Sequence, residues 1–169
     1  TLADLQIDGV LTPSVTVTGS TALTITAALD ANVTTVDASA NSGGLTLSAA
    51  PGATVVSITG SSAADTLSAI GAGTTTLALG AGNDTVDFDG NWTGADTYDG
   101  GDGTDTVTMS TGFTNVSVIG GLSNVEVIKL DGAGTTISFE DNIGASTFDF
   151  TNDDAQTLNL NDGYTNAPN

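Results

Sequence analysis

The sequence predicts an all-β chain wound as a right-handed parallel β-helix or β-roll, with about two strands per turn. Three observations predict it. Short runs of alternating apolar and small polar residues recur along the whole length, with anchors about 8 to 12 residues apart. Glycine, Asn, Asp and Ser fill the gaps between the runs. A nonapeptide register of glycine and aspartate occupies the middle of the chain, and that repeat belongs to stacked parallel coils.

The elements follow in order. SVTVTG and ALTITA carry Val17 and Ile25; VTTVDA, GLTLSA and TVVSIT carry Val36, Leu47 and Ile58. DTLSA, TTTLAL, DTVDF, DTYDG and DTVTM carry Leu67, Leu77, Val86, Tyr98 and Val107. NVSVIG, VEVIKL, TTISFE, STFDF and QTLNL carry Val118, Val127, Ile137, Phe148 and Leu158. Alternation within a run is what a strand buried on one face requires. An antiparallel sandwich is the rival, but it usually shows hairpin signals and large aromatic anchors. Here aromatics are 5% of the chain and the period is nearly constant, which suits a flattened coil filled by single layers of Val, Ile and Leu. Three stretches are distinguished: Thr/Ala/Ser-rich coils over 1–59, a glycine-aspartate β-roll over 60–108, and further coils with acidic turns over 109–169. No amphipathic helix and no capping helix is expected. Open coil ends need caps or neighbours, so the chain is expected to be a segment of a longer protein.

Composition narrows the function classes. The chain of 169 residues has 20 acidic residues against one cation, Lys129, and a net charge of −19. Nothing neutralises phosphates, so nucleic acid and anionic membrane surfaces are poor partners. No apolar run approaches the ~18 residues of a membrane span. The chain has no Cys, hence neither disulfides nor thiolate metal sites. It has no His and no Arg, which leaves no ordinary general base near neutral pH and few activated nucleophiles. An enzyme is not expected.

The register carries the candidate site. Residues 100–108, GGDGTDTVT, match the pattern G-G-x-G-x-D-x-U-x, where U is a large apolar residue. Residues 91–99 keep Gly94, Asp96 and Tyr98; residues 79–87 keep Gly80, Gly82, Asp84 and Val86. Residues 70–78 put Thr75 in the aspartate position, and residues 60–68 keep Gly60, Asp65 and Leu67. Phe88-Asp89-Gly90 is an insertion. Glycines let a loop take positive φ and aim its carbonyls at one point. Calcium needs six to eight oxygens, more than one loop supplies but within reach of two stacked loops. With two repeats per turn, Asp65, Asp84 and Asp105 fall on one edge, Thr75 and Asp96 on the other. Calcium is expected between the Asp84 and Asp105 loops, with Gly80, Gly82, Gly101 and Gly103 contributing backbone. A second, weaker site is expected between the Asp65 and Asp84 loops, and the weakest on the Thr75/Asp96 edge, which has one carboxylate. Tight turns without metal are the alternative.

With these residues, the stretch SSAADTLSAIGAGTTTLALGAGNDTVDFDG…TYDGGDGTDTV resembles the RTX-type secreted proteins of Gram-negative bacteria, and most closely their calcium-dependent S-layer members. The segment GLSNVEVIKLDGAGTT resembles one that follows such tracts. The resemblance implies type I secretion, extracellular folding on meeting calcium, and assembly with copies of itself into a surface lattice, with cell-surface polysaccharide as a further partner. The second implied function is a binding module of a large RTX adhesin, or an accessory domain of a secreted RTX enzyme, recognising a glycan or ice.

Other features read as structural first. Glu126 is a turn-to-strand residue or a ligand. Lys129 pairs with a carboxylate. Trp92 and Tyr98 close the core at the insertion or stack on sugar. Glu140, Asp141, Asp153, Asp154 and Asp162 form a solvated acidic edge or a further calcium site. Thr-x-Thr pairs at Thr16/Thr18, Thr24/Thr26 and Thr106/Thr108 are too sparse for an ice-binding array.

Overall fold

A computed structural model describes residues 14–48, 55–68, 73–88, 91–109, 121–131, 136–139, 145–149 and 157–160. The acidic residues Glu140, Asp141, Asp153, Asp154 and Asp162, the insertion residue Asp89 and the anchor Val118 lie outside them. Every strand pairing is parallel, and no helix occurs among the described residues. The chain is a parallel β-solenoid of the expected class.

One wall stacks β1 (Ser14–Gly19), β3 (Thr35–Asn41), β5 (Val55–Thr59), β7 (Thr74–Ala78), β9 (Thr97–Asp99) and β11 (Leu122–Ser123). The other stacks β2 (Leu23–Ile25), β4 (Leu45–Leu47), β6 (Thr66–Leu67), β8 (Thr85–Asp87), β10 (Thr106–Met109), β12 (Val127–Leu130) and β14 (Thr147–Asp149). β13 (Thr136–Phe139) pairs with β15 (Thr157–Leu160). Odd and even strands alternate along the chain, which gives two strands per turn in the two main walls. Pairing in the two main walls runs unbroken through positions 59/60 and 108/109.

The predicted anchors of the coils from Ile25 to Val107 form the core. Val36, Ile58, Leu77 and Tyr98 are in register in one wall. Ile25, Leu47, Leu67, Val86 and Val107 are in register in the other. All of them are buried. Like side chains therefore stack ~4.8 Å apart, and a thin chain fills its interior without many aromatics. One anchor is off by a residue. Val127 aligns with the outward Thr106, and Ile128 is the buried residue in register with Val107. In VEVIKL both Val127 and Ile128 are β-branched, so alternation alone does not say which points inward.

The outer positions of the even wall align Thr24, Thr46, Thr66, Thr85 and Thr106 in one column. The scattered Thr-x-Thr pairs of the sequence concealed this, because the column runs across the coils and not along the chain.

Candidate metal centre

Among the described residues of the two main walls, the connections from an odd to an even strand lie on one edge of the coil and the return connections on the opposite edge. The register therefore places Asp65, Asp84, Asp105 and Glu126 in one column, because Thr66, Thr85, Thr106 and Val127 align directly after them. Asp96 stands on the opposite edge, beside Thr75. This is the two-edged arrangement that the nonapeptide spacing predicts.

The column is a hydrogen-bonded ladder. The Leu45 N–H donates to Asp65 Oδ1 at 2.6 Å, Asp65 N–H to Asp84 Oδ1 at 2.7 Å, and Asp84 N–H to Asp105 Oδ1 at 2.8 Å. Asp105 N–H donates to Glu126 Oε2 at 2.7 Å. On the other edge Thr75 N–H donates to Asp96 Oδ1 at 2.6 Å. One carboxylate oxygen of each rung thus satisfies the strand-entry amide of the coil before it. Asp65, Asp84 and Asp105 are each 0% exposed. Buried carboxylates need such partners on every lone pair they keep from water.

The second oxygens differ. Asp65 Oδ2 accepts the Ser61 N–H at 2.7 Å, and the Ser61 hydroxyl lies 2.8 Å from Asp65 Oδ1. Asp96 Oδ2 accepts the Thr93 N–H at 2.6 Å and the Thr93 hydroxyl at 2.9 Å. Asp84 Oδ2 and Asp105 Oδ2 are buried and have no hydrogen-bond partner. They sit in the two loops with paired left-handed glycines: Gly80 and Gly82 (φ 98° and 138°), Gly101 and Gly103 (φ 94° and 149°).

Those loops stack directly. Asp102 N–H donates to the Gly80 carbonyl at 2.8 Å, Gly82 N–H to the Asp102 carbonyl at 2.9 Å, and Ala81 bridges Asp102. A Cβ on Gly101 or Gly103 would collide with the carbonyl of Gly80 or Gly82. This stack is intact, and Phe88, where the insertion begins, follows β8 on the opposite edge. There Phe88 packs edge-on against Trp92, ring centroids 4.5 Å apart, and against Tyr98 at 6.4 Å. All three rings are buried, so Trp92 and Tyr98 close the core at the insertion.

Two further residues border the site. A Cβ on Gly100 would meet both Asp105 Oδ2, at 2.6 Å, and the Asn124 carbonyl. The unpartnered oxygen of Asp105 and the carbonyl of Asn124, in the next coil, therefore lie near the same point. Asn124 has φ 52°, the one positive φ outside glycine among the described residues, a conformation that Asn tolerates. Its amide donates to Asp99 Oδ1 at 2.6 Å.

The ladder is electrostatically costly when ionised. Burial, opposed by the Asp65 hydrogen bond and helped by the charges of Asp65 and Asp105, pushes the Asp84 carboxyl up to about 6. Burial also raises Asp105, with Glu126 and Asp99 adding to the effect. Burial raises the Tyr98 phenol, and the Asp105 and Asp84 charges act in the same direction. Its hydroxyl also lacks a partner.

Among the described residues no three acidic side chains converge as a metal cluster. A cation here would draw on carboxylates from the column together with loop carbonyls. The donor set fits calcium in kind: hard oxygens, two of them on buried carboxylates that nothing else satisfies. Ser61 beside Asp65, Thr93 beside Asp96 on the opposite edge, and Asn41 were not legible as partners. Asn41 closes the first turn with its amide, accepting the Gly43 and Gly44 N–H groups at 2.8 and 3.0 Å. Lys129 points outward, in register with Asp149. Compared with known proteins, the chain matches no family model, no curated protein and no solved structure.

Proposed function

We propose that the chain is a calcium-stabilised structural module of a bacterial surface layer, in which the cation completes the fold. The observation that carries the calcium reading is the pair of buried, unpartnered oxygens, Asp84 Oδ2 and Asp105 Oδ2, in the two loops with left-handed glycine pairs. Asp84 and Asp105 hold the cations. The 79–84 and 100–105 loops supply carbonyl oxygens through Gly80, Gly82, Gly101 and Gly103, and Asn124 and Glu126 stand on the far side of Asp105. Calcium supplies positive charge to a column of carboxylates about one strand spacing apart. Binding free energy is then folding free energy.

The lattice part of the proposal rests on the resemblance of residues 60–108 to RTX S-layer proteins. Its partners are copies of itself outside the cell, reached by type I secretion, with cell-surface polysaccharide as the anchor. A charge of −19 keeps such a chain dispersed until the cation arrives.

Asp105→Ala is expected to weaken calcium binding at least tenfold in a calorimetric titration, about 1.4 kcal/mol. An unchanged affinity removes Asp105 from the site. Electron microscopy of the chain in millimolar calcium tests assembly. Ordered two-dimensional sheets are expected, and persistent monomeric rods favour a binding module over a lattice protein.

A further inference from the structure

We infer that the coil holds two kinds of rung, metal-dependent and metal-free, and that Ser61 and Thr93 occupy the role the cation plays elsewhere. This rests on the calcium reading above. The ladder geometry is shared: each aspartate takes the N–H of the preceding coil on Oδ1. What differs is the partner of Oδ2. At Asp65 and Asp96 it is the amide of Ser61 or Thr93, from the same loop, and each hydroxyl adds a bond to the carboxylate. At Asp84 and Asp105 there is none.

The loops explain the difference. Residues 60–65 and 79–84 have equal length and equivalent register, because Thr66 aligns with Thr85. Ser61 holds the position of Gly80 and Gly101. Those glycines have φ 98° and 94°, whereas Ser61 is not in the left-handed region, and its N–H reaches the carboxylate. The coil before it needs no carboxylate either, since the Asn41 amide closes that turn. The turns at Asn41 and Asp65 are thus satisfied by side chains alone. The turns at Asp84 and Asp105 are completed by the cation. The N-terminal coils provide a preformed edge on which the calcium-dependent coils stack, so calcium controls the length of folded coil, not whether folding begins.

Hydrogen exchange of the full chain in excess chelator tests this. Amides of residues 35–47 and 57–67 are expected to stay protected, while those of 85–87 and 106–109 exchange at least tenfold faster than in calcium. The complementary variant is S61G/A63G, which rebuilds the Gly80/Gly82 pattern in the 60–65 loop. It is expected to bind one more calcium than the wild type by ion counting. The inference is overturned if both segments lose protection together in chelator, or if the folded variant keeps the wild-type count. Should the variant not fold, the exchange measurement on the wild type decides alone. If the wild type binds calcium but the two segments exchange together, only this inference falls. If it binds no calcium, the proposed function falls with it.

Discussion

Withdrawing calcium is expected to lower the melting temperature of the chain by about 10 to 20 °C. A ligand present at a hundred times its dissociation constant stabilises a fold by about 2.7 kcal/mol per site. Two sites, one for each unpartnered oxygen, give about 5 kcal/mol, and 1 kcal/mol is worth about 2–4 °C at this chain length. The pH dependence should change sign with the metal. Asp84 is raised from 3.8 to about 6 in the fold, so the folded state holds more protons than the unfolded one between those values. Without calcium, stability is greatest below about pH 4, falls as pH rises to about 6, and levels off above. With calcium, protons compete with the cation, and stability falls as pH is lowered through the same window. Thermal melts by circular dichroism at pH 4 to 7, with chelator and with calcium, read both effects. The same slope in both conditions, or the same melting temperature, would contradict the account.

Gly101→Ala is the second large effect, a loss of about 3 kcal/mol in urea denaturation. Two costs add. Gly101 has φ 94°, where an L side chain is strained. Its Cβ would also run into the carbonyl of Gly80, which is backbone and cannot move aside without breaking the bond from Asp102 N–H. Gly94→Ala is the control. Nothing lies within 4 Å of a Cβ there, and a change within about 0.5 kcal/mol is expected. Equal stability of the two variants would mean that the loops do not stack as described.

The sequence was most informative where one rule acted alone. Strand anchors from Ile25 to Val107 were legible because a two-residue alternation in a parallel stack has one buried face, and small turn residues mark each end. The two-edged split of Asp65, Asp84 and Asp105 from Asp96 followed from counting repeats. Where two rules overlapped, the pattern failed: Val127 and Ile128 are equally apolar, and only the register with β10 places Ile128 inside. Partners from outside the repeat were illegible for a different reason. Ser61, Thr93 and Asn41 act by hydrogen bonds that depend on loop conformation, and a motif written in glycines has no place for them. Asn124 and Glu126 sit in a connection three residues shorter than the 100–105 loop and outside the glycine register, so the nonapeptide motif does not align them with Asp105, although the 21-residue step from Asp105 to Glu126 equals that from Asp84 to Asp105. Their proximity is a property of the stack.

The ladder also explains why the aspartates are buried at all. A carboxylate at each strand entry ties the amide of the neighbouring coil, and this side-chain bond fixes the coils in register where the loop backbone alone would be free to slip. Repulsion down the column is the cost of that register. Hydroxyl and amide donors offset it at Asp65 and Asp96. At Asp84 and Asp105 the proposed cation offsets it.

A crystal structure grown in millimolar calcium, with anomalous diffraction to identify the ion, decides whether a cation completes these two rungs. Calcium is expected within 2.3–2.6 Å of Asp84 Oδ2 and of Asp105 Oδ2, with the ladder bonds on the two Oδ1 atoms retained. Both carboxylates free of calcium in that crystal, or calcium bound only at other residues, would contradict it.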